Sequence, residues 1–205
     1  MTTEKKNTKK RAKDRILALV ETAMMVALAV GLELLSAFIP SPWVNGGSVS
    51  LGAIPIIYLS YRRGWKWGVS AGFVYSCVQM LLGFYVPPAN TLWALILCVL
   101  LDYVLAFSAL GIASVLAAPF DKTGRSSSRI AGYVLGAVGV SALRFVCSFL
   151  SGVILWGSYA PEDMNVWVYS LTYNGGYMAI NAVISAMIIT WLCLAIDPKT
   201  LKPMK

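Results

Sequence analysis

The 205-residue chain has no histidine, and only nine acidic residues stand against 17 lysines and arginines. Without imidazole or a metal-ligand cluster, general acid–base and metal-assisted chemistry have few candidates, which disfavours a membrane-embedded enzyme. There is no GxxxxGK[ST] phosphate loop, so the chain does not hydrolyse ATP by itself. The four cysteines, Cys77, Cys98, Cys147 and Cys193, lie singly in apolar segments with no CxxC pair. They read as small hydrophobes, not as disulfides or metal ligands. No internal repeat and no cofactor motif is present.

What the chain has is apolar length. It is 58% hydrophobic and 13% charged, with a mean hydropathy of +0.70, and several apolar runs exceed the ~18 residues that read as a membrane span. This excludes a soluble domain and predicts an all-α membrane protein. Helices are expected at 16–39, 52–61, 66–85, 91–118, 130–157 and 172–196. A basic tail (1–15) and a short C-terminal tail (197–205) flank one six-helix domain (16–196).

Charge placement orients the bundle. Seven of the basic residues lie in the first 15 positions, three in "YRRGWKWG", three in "DKTGRSSSR" and three after residue 196, leaving Arg144. The stretches 40–50, 86–90 and 158–171 have none. The positive-inside rule then places both termini and loops 62–66 and 121–129 in the cytoplasm, which six spans satisfy and five do not. The net charge of +8 reflects orientation and not nucleic-acid binding. The apolar segment after the basic start is too long for a signal peptide, so that start reads as a retained cytoplasmic tail.

The second helix is short. Residues 48–61 as helix reach roughly 21 Å against a hydrocarbon core of about 30 Å. The preceding "PSPWVNGGSVSLG" must therefore dip in from outside, where irregular backbone is tolerated only against protein or a cavity. It is a candidate lid, carrying Trp43. Polar residues repeat at helical spacing inside the other spans: Tyr75 and Gln79; Ser141, Arg144, Ser148 and Ser151; Asn174, Tyr177 and Asn181. Asp102 lies in "LCVLLDYVLAF" at a depth similar to that of Arg144. Such groups mark either a functional site or a partnered structural pair, and both readings of Asp102 stay open. Trp65, Trp67 and Trp93 suit an interfacial belt. By contrast, "WGSYAPEDMNVWVYSLTYNGGYM" (156–178) gathers two tryptophans, four tyrosines and two asparagines without one lysine or arginine. Aromatic faces with amides and a carboxylate at matching depth fit a pocket for a flat, polar, cationic ligand.

"NGGSVSLGAIPIIYLSYRRGWKWG", "LLDYVLAFSALGIA", "RFVCSFLSGVILWGSYAP" and "VWVYSLTYNGGYM" resemble the thiamine-specific S components of energy-coupling factor (ECF) transporters, over residues 15–196. The resemblance implies six helices, cytoplasmic termini and a thiamine site near the outer face of the bacterial cell membrane. It also implies as partners a transmembrane energising subunit and two ATPase subunits. Trp156 then matches the ring that stacks on the vitamin, Tyr169 and Asn174 match ligand-binding residues, Tyr103 matches a binding tyrosine, and Asp102 stands at its acidic neighbour. Trp43 matches the lid tryptophan. Ser148 occupies a position where the family commonly has histidine, and Asp102 one where a longer glutamate can occur. Both departures enlarge or rewire the aminopyrimidine end, leaving another small heterocycle or a thiamine precursor as the alternative ligand. Ala23 and Ala27 of α-helical "ETAMMVALAVGLELL" form a small-residue groove. The resemblance assigns it to docking on the energising subunit, and packing within the chain is the alternative.

Overall fold

The computed structural model describes residues 3–43, 47–89, 91–121 and 125–202. Among them there is no strand. The chain forms α1 (Thr3–Ser36), α2 (Ala53–Arg63), α3 (Trp65–Leu82), α4 (Leu92–Asp121), α5 (Ser126–Leu155) and α6 (Val166–Ala195). Among the described residues, four helices are long and apolar enough to cross a membrane: Asn7–Ser36 within α1, and α4, α5 and α6. Their outward faces carry exposed Leu28, Leu105, Leu135, Val183 and Met187, which suits a lipid surround and not water.

The structure departs from the sequence reading at several points. α1 begins at Thr3 and not near residue 16, because lysine and arginine, both good helix formers, make up seven of the first 15 residues. α6 begins six residues early, at Val166, where the Asn165 side chain accepts a hydrogen bond from the Trp167 backbone N–H at 2.9 Å and caps the helix. Tyr169 and Ser170 are therefore helical, and the stretch between α5 and α6 shrinks to residues 156–165. α4 is not a uniform α-helix. It passes into a π-helical stretch, Val99–Leu105, and a 3-10 stretch, Ala109–Ile112.

α2 and α3 join through Gly64, whose φ of +88° lies in the left-handed region that glycine adopts without strain. α3 then lies against α4 at backbone distance. A Cβ added to Gly68 would sit 2.6 Å from the Gly111 carbonyl oxygen, so this crossing depends on the absence of side chains. The tightest interior packing involves Ile56, Ile57, Leu59, Leu110, Val140 and Ile189.

The two ends of the bundle differ in chemistry. At one end Glu21 of α1 takes Arg63 Nε at 2.5 Å and Arg62 Nη2 at 3.3 Å. Arg62 also donates to the Pro198 and Lys199 carbonyls. Arg129 meets Asp197 at 2.8 Å, and Lys199 pairs with Asp121. Basic residues thus tie α1, the α2–α3 turn, α5 and the C-terminal segment together.

The irregular segment before α2 is fastened from both sides. Asn181 of α6 donates to the Ser48 carbonyl at 2.9 Å and accepts from the Ser50 N–H at 2.8 Å. The Leu51 N–H donates to Ser36 Oγ at 3.0 Å, and the Ser50 hydroxyl donates to Glu33. Residues 44–46 of this candidate lid lie outside the described residues. Replacing Asn181 by leucine strands two buried backbone groups. The expected loss is about 2 kcal/mol or more of stability, read as a lowered melting temperature of the purified protein without ligand.

Candidate functional site

The site grows out of α4. In the π-helical stretch each backbone bond spans five residues instead of four. Cys98 is therefore followed on its own face by both Asp102 and Tyr103, and all three line one cavity with Phe107. In an α-helix Tyr103, five residues on, would lie about 140° around the axis from Cys98.

That cavity has a volume of about 530 Å³. α5 contributes Arg144, Ser148 and Gly152, and α6 contributes Tyr169, Tyr173, Asn174 and Tyr177. The connecting segments supply Trp43, Tyr85, Trp156 and Tyr159, and α1 supplies Glu33. All seven residues singled out as ligand-binding, Trp43, Asp102, Tyr103, Ser148, Trp156, Tyr169 and Asn174, face this one space.

Asp102 is the best-anchored of them. Its Oδ2 accepts from Ser151 Oγ at 2.6 Å, Trp156 Nε1 at 3.2 Å and Cys98 Sγ at 3.6 Å. One carboxylate oxygen therefore fixes the angle of the indole, while Tyr159 stacks on Trp156 at 5.9 Å between ring centres. The alternative pairing of Asp102 with Arg144 is not formed. The Arg144 guanidinium instead lies over the Phe107 ring, 4.6 Å from its centre. Four hydroxyl and amide groups are committed within the protein. Tyr103 donates to the Gly83 carbonyl and accepts from the Tyr85 N–H, pinning the α3–α4 connection. Asn174 donates to Ser170 and accepts from Tyr177. Tyr173 accepts from the Gly47 N–H at 3.1 Å, and Trp43 meets Tyr177 edge-on at 6.1 Å. The candidate lid is thus held against α6 by rings.

The sequence reading missed Glu33. It accepts from Ser50 and from Tyr75 at the cavity wall, and the reasoning that drew attention to Asp102, an acid inside an apolar helix, would have found it. Tyr75 itself is fully buried and supports Glu33 from behind, whereas Gln79 reaches the lining. The four cysteines are free. Ala23 and Ala27 are exposed on the outer surface of α1 and do not pack inside the chain. Trp65 and Trp93 are exposed as well.

A ligand-sized cavity walled by rings and a few polar groups, inside a bundle with four span-length apolar helices, defines a multi-pass membrane binding or transport protein. Residues 19–201 match the thiamine transporter protein family (Thia_YuaJ), and the chain belongs to that family. It is a family of transporters and not of enzymes. The chain is 36% identical over 194 residues to the thiamine transporter ThiT of Bacillus subtilis (strain 168), covering 92% of this chain and 95% of that protein. It is 30% identical over 184 residues to the thiamine transporter ThiT of Lacticaseibacillus paracasei, covering 85% and 86%. A solved structure of ThiT from Listeria monocytogenes shares the fold, with a TM-score of 0.71 at 23% identity over 93% of this chain and all of that one.

Because Asp102 is held by neutral donors, its neutralisation breaks no ion pair. Asp102→Asn should fold with a ligand-free stability within about 1 kcal/mol of wild type. A loss of about 3–5 kcal/mol, as for a broken buried ion pair, would contradict the geometry. Thermal unfolding of the two proteins decides.

Proposed function

We propose that the chain binds thiamine from the outer side of a bacterial cell membrane and delivers it to a separate energising module, as the S component of an ECF transporter. In this reading all six helices cross or enter the membrane with both termini cytoplasmic, in line with the basic clamp at one end and the cavity toward the other. The observation that carries the ligand is the makeup of the cavity wall. It has two carboxyl groups, Glu33 and Asp102, against one guanidinium, Arg144, which suits a monocation. It also has an indole whose plane is fixed by one of those carboxylates.

Thiamine joins a cationic thiazolium to a neutral aminopyrimidine. Trp156 offers a ring face to the cation, an attraction that strengthens when water is removed. Asp102 accepts hydrogen bonds from the amine, with Ser148 at the same end. Trp43 and Tyr169 close the mouth. Delivery needs a partner that hydrolyses ATP. Ala23 and Ala27, exposed four residues apart on α1, permit the close helix approach such docking requires.

Trp156→Ala should weaken thiamine binding by about 1–2 kcal/mol or more, and titration of wild type should quench tryptophan fluorescence. An unchanged dissociation constant removes Trp156 from the site. Ala23→Trp and Ala27→Trp should leave the affinity of the isolated chain nearly unchanged while abolishing complex formation and uptake in cells. Normal assembly and transport in those variants would remove α1 as the docking face.

A further inference from the structure

One charged side chain of the cavity has no ion-pair or hydrogen-bond partner among the described residues. Arg144 carries five N–H donors in a rigid fork. It forms no ion pair and no hydrogen bond among the described residues, and its Nε is buried without an acceptor. Both acids that line the cavity are occupied, Asp102 by Ser151, Trp156 and Cys98, and Glu33 by Ser50 and Tyr75. What holds Arg144 in place is the face of Phe107, and Phe107 is in turn met edge-on by Tyr75 at 5.1 Å. The guanidinium is therefore positioned but not satisfied. Buried donors in native proteins find acceptors, and a cavity wall is where a ligand supplies them.

We propose that Arg144 is a specificity-determining residue: it donates to the acceptor nitrogens of the ligand's neutral heterocycle and turns the cationic ring away toward Trp156. This rests on the thiamine reading above and assigns the orientation of the ligand within it. Seven residues along α5 separate Arg144 from Ser151, roughly 10 Å of rise. Ser148, the residue between them on that face, is small. A cationic ring placed against Arg144 would meet a like charge in a low-dielectric space. A neutral ring bearing nitrogen lone pairs meets the fork of donors instead.

The test uses the full-length purified chain, titrated with thiamine and with 3-benzyl-5-(2-hydroxyethyl)-4-methylthiazolium, which keeps the cationic ring and replaces the aminopyrimidine by phenyl. Wild type should prefer thiamine by about 100-fold or more, because a site built to hydrogen-bond a ring discriminates strongly against one that lacks the partner atoms. Arg144→Met should weaken thiamine by about tenfold or more and leave the benzyl compound nearly unchanged. Arg144→Lys, which keeps the charge and loses the fork, should not restore thiamine binding. Equal losses for both compounds, or none for thiamine, would overturn the proposal. So would a loss confined to thiamine monophosphate, which would make Arg144 an anion reader, or failure of both variants to fold, which would make it structural. Wild-type protein that binds neither compound overturns the thiamine reading, and this inference with it.

Discussion

A carboxylate inside an apolar helix bundle has to be solvated by the protein, and the way Asp102 is solvated organises the site. Its donors come from a hydroxyl on α5, the indole of Trp156 just past the end of α5, and the thiol of Cys98 one turn back on α4. None of them is a cation. No cation is paired with the carboxyl group, so it remains available to a ligand. The same bonds set the plane of the ring that such a ligand would stack on. Electrostatics and shape are fixed by one oxygen atom.

The rest of the bundle supports this arrangement. The π-helical stretch of α4 lets Asp102 and Tyr103 share a wall, and Tyr103 spends its hydroxyl on the backbone of residues 83–85 to shape the cavity edge. The irregular segment before α2 is sealed by Asn181, Ser36 and Glu33, so backbone groups that no helix satisfies are paired by side chains. The charged clamp around Glu21, Arg62 and Arg63 lies at the other end of the molecule. Ligand chemistry and inter-helix ion pairing are separated along the bundle axis.

Much of this was legible in the sequence, for identifiable reasons. Long apolar runs revealed the helices, and the polar residues at three- and four-residue spacing marked the faces that turn inward, because a lipid-embedded helix has few other uses for them. The aromatic and amide cluster of 156–178 pointed to the cavity mouth. The boundaries were less visible: the start of α6 depends on the Asn165 cap, and the start of α1 on the helix propensity of a tail whose charges read as topology. The π-helical stretch has no sequence signature, since it is a backbone choice settled by packing. Glu33 was overlooked although its position inside α1 was informative. The open choice between Asp102 as a site residue and as the partner of Arg144 turned on side-chain directions that spacing cannot supply, because similar depth on two helices does not place two groups in contact.

The cavity wall, with two acids, one guanidinium and an oriented indole, leads to the central claim that the chain captures thiamine and leaves it chemically unaltered. The most direct measurement is mass spectrometry of the small molecules released on denaturing the protein, purified from cells grown with thiamine. The account predicts intact thiamine at about one molecule per chain, carried by a single site. Protein that releases no thiamine and stays unliganded when thiamine is added, or that releases a different compound or a cleaved product, would contradict it.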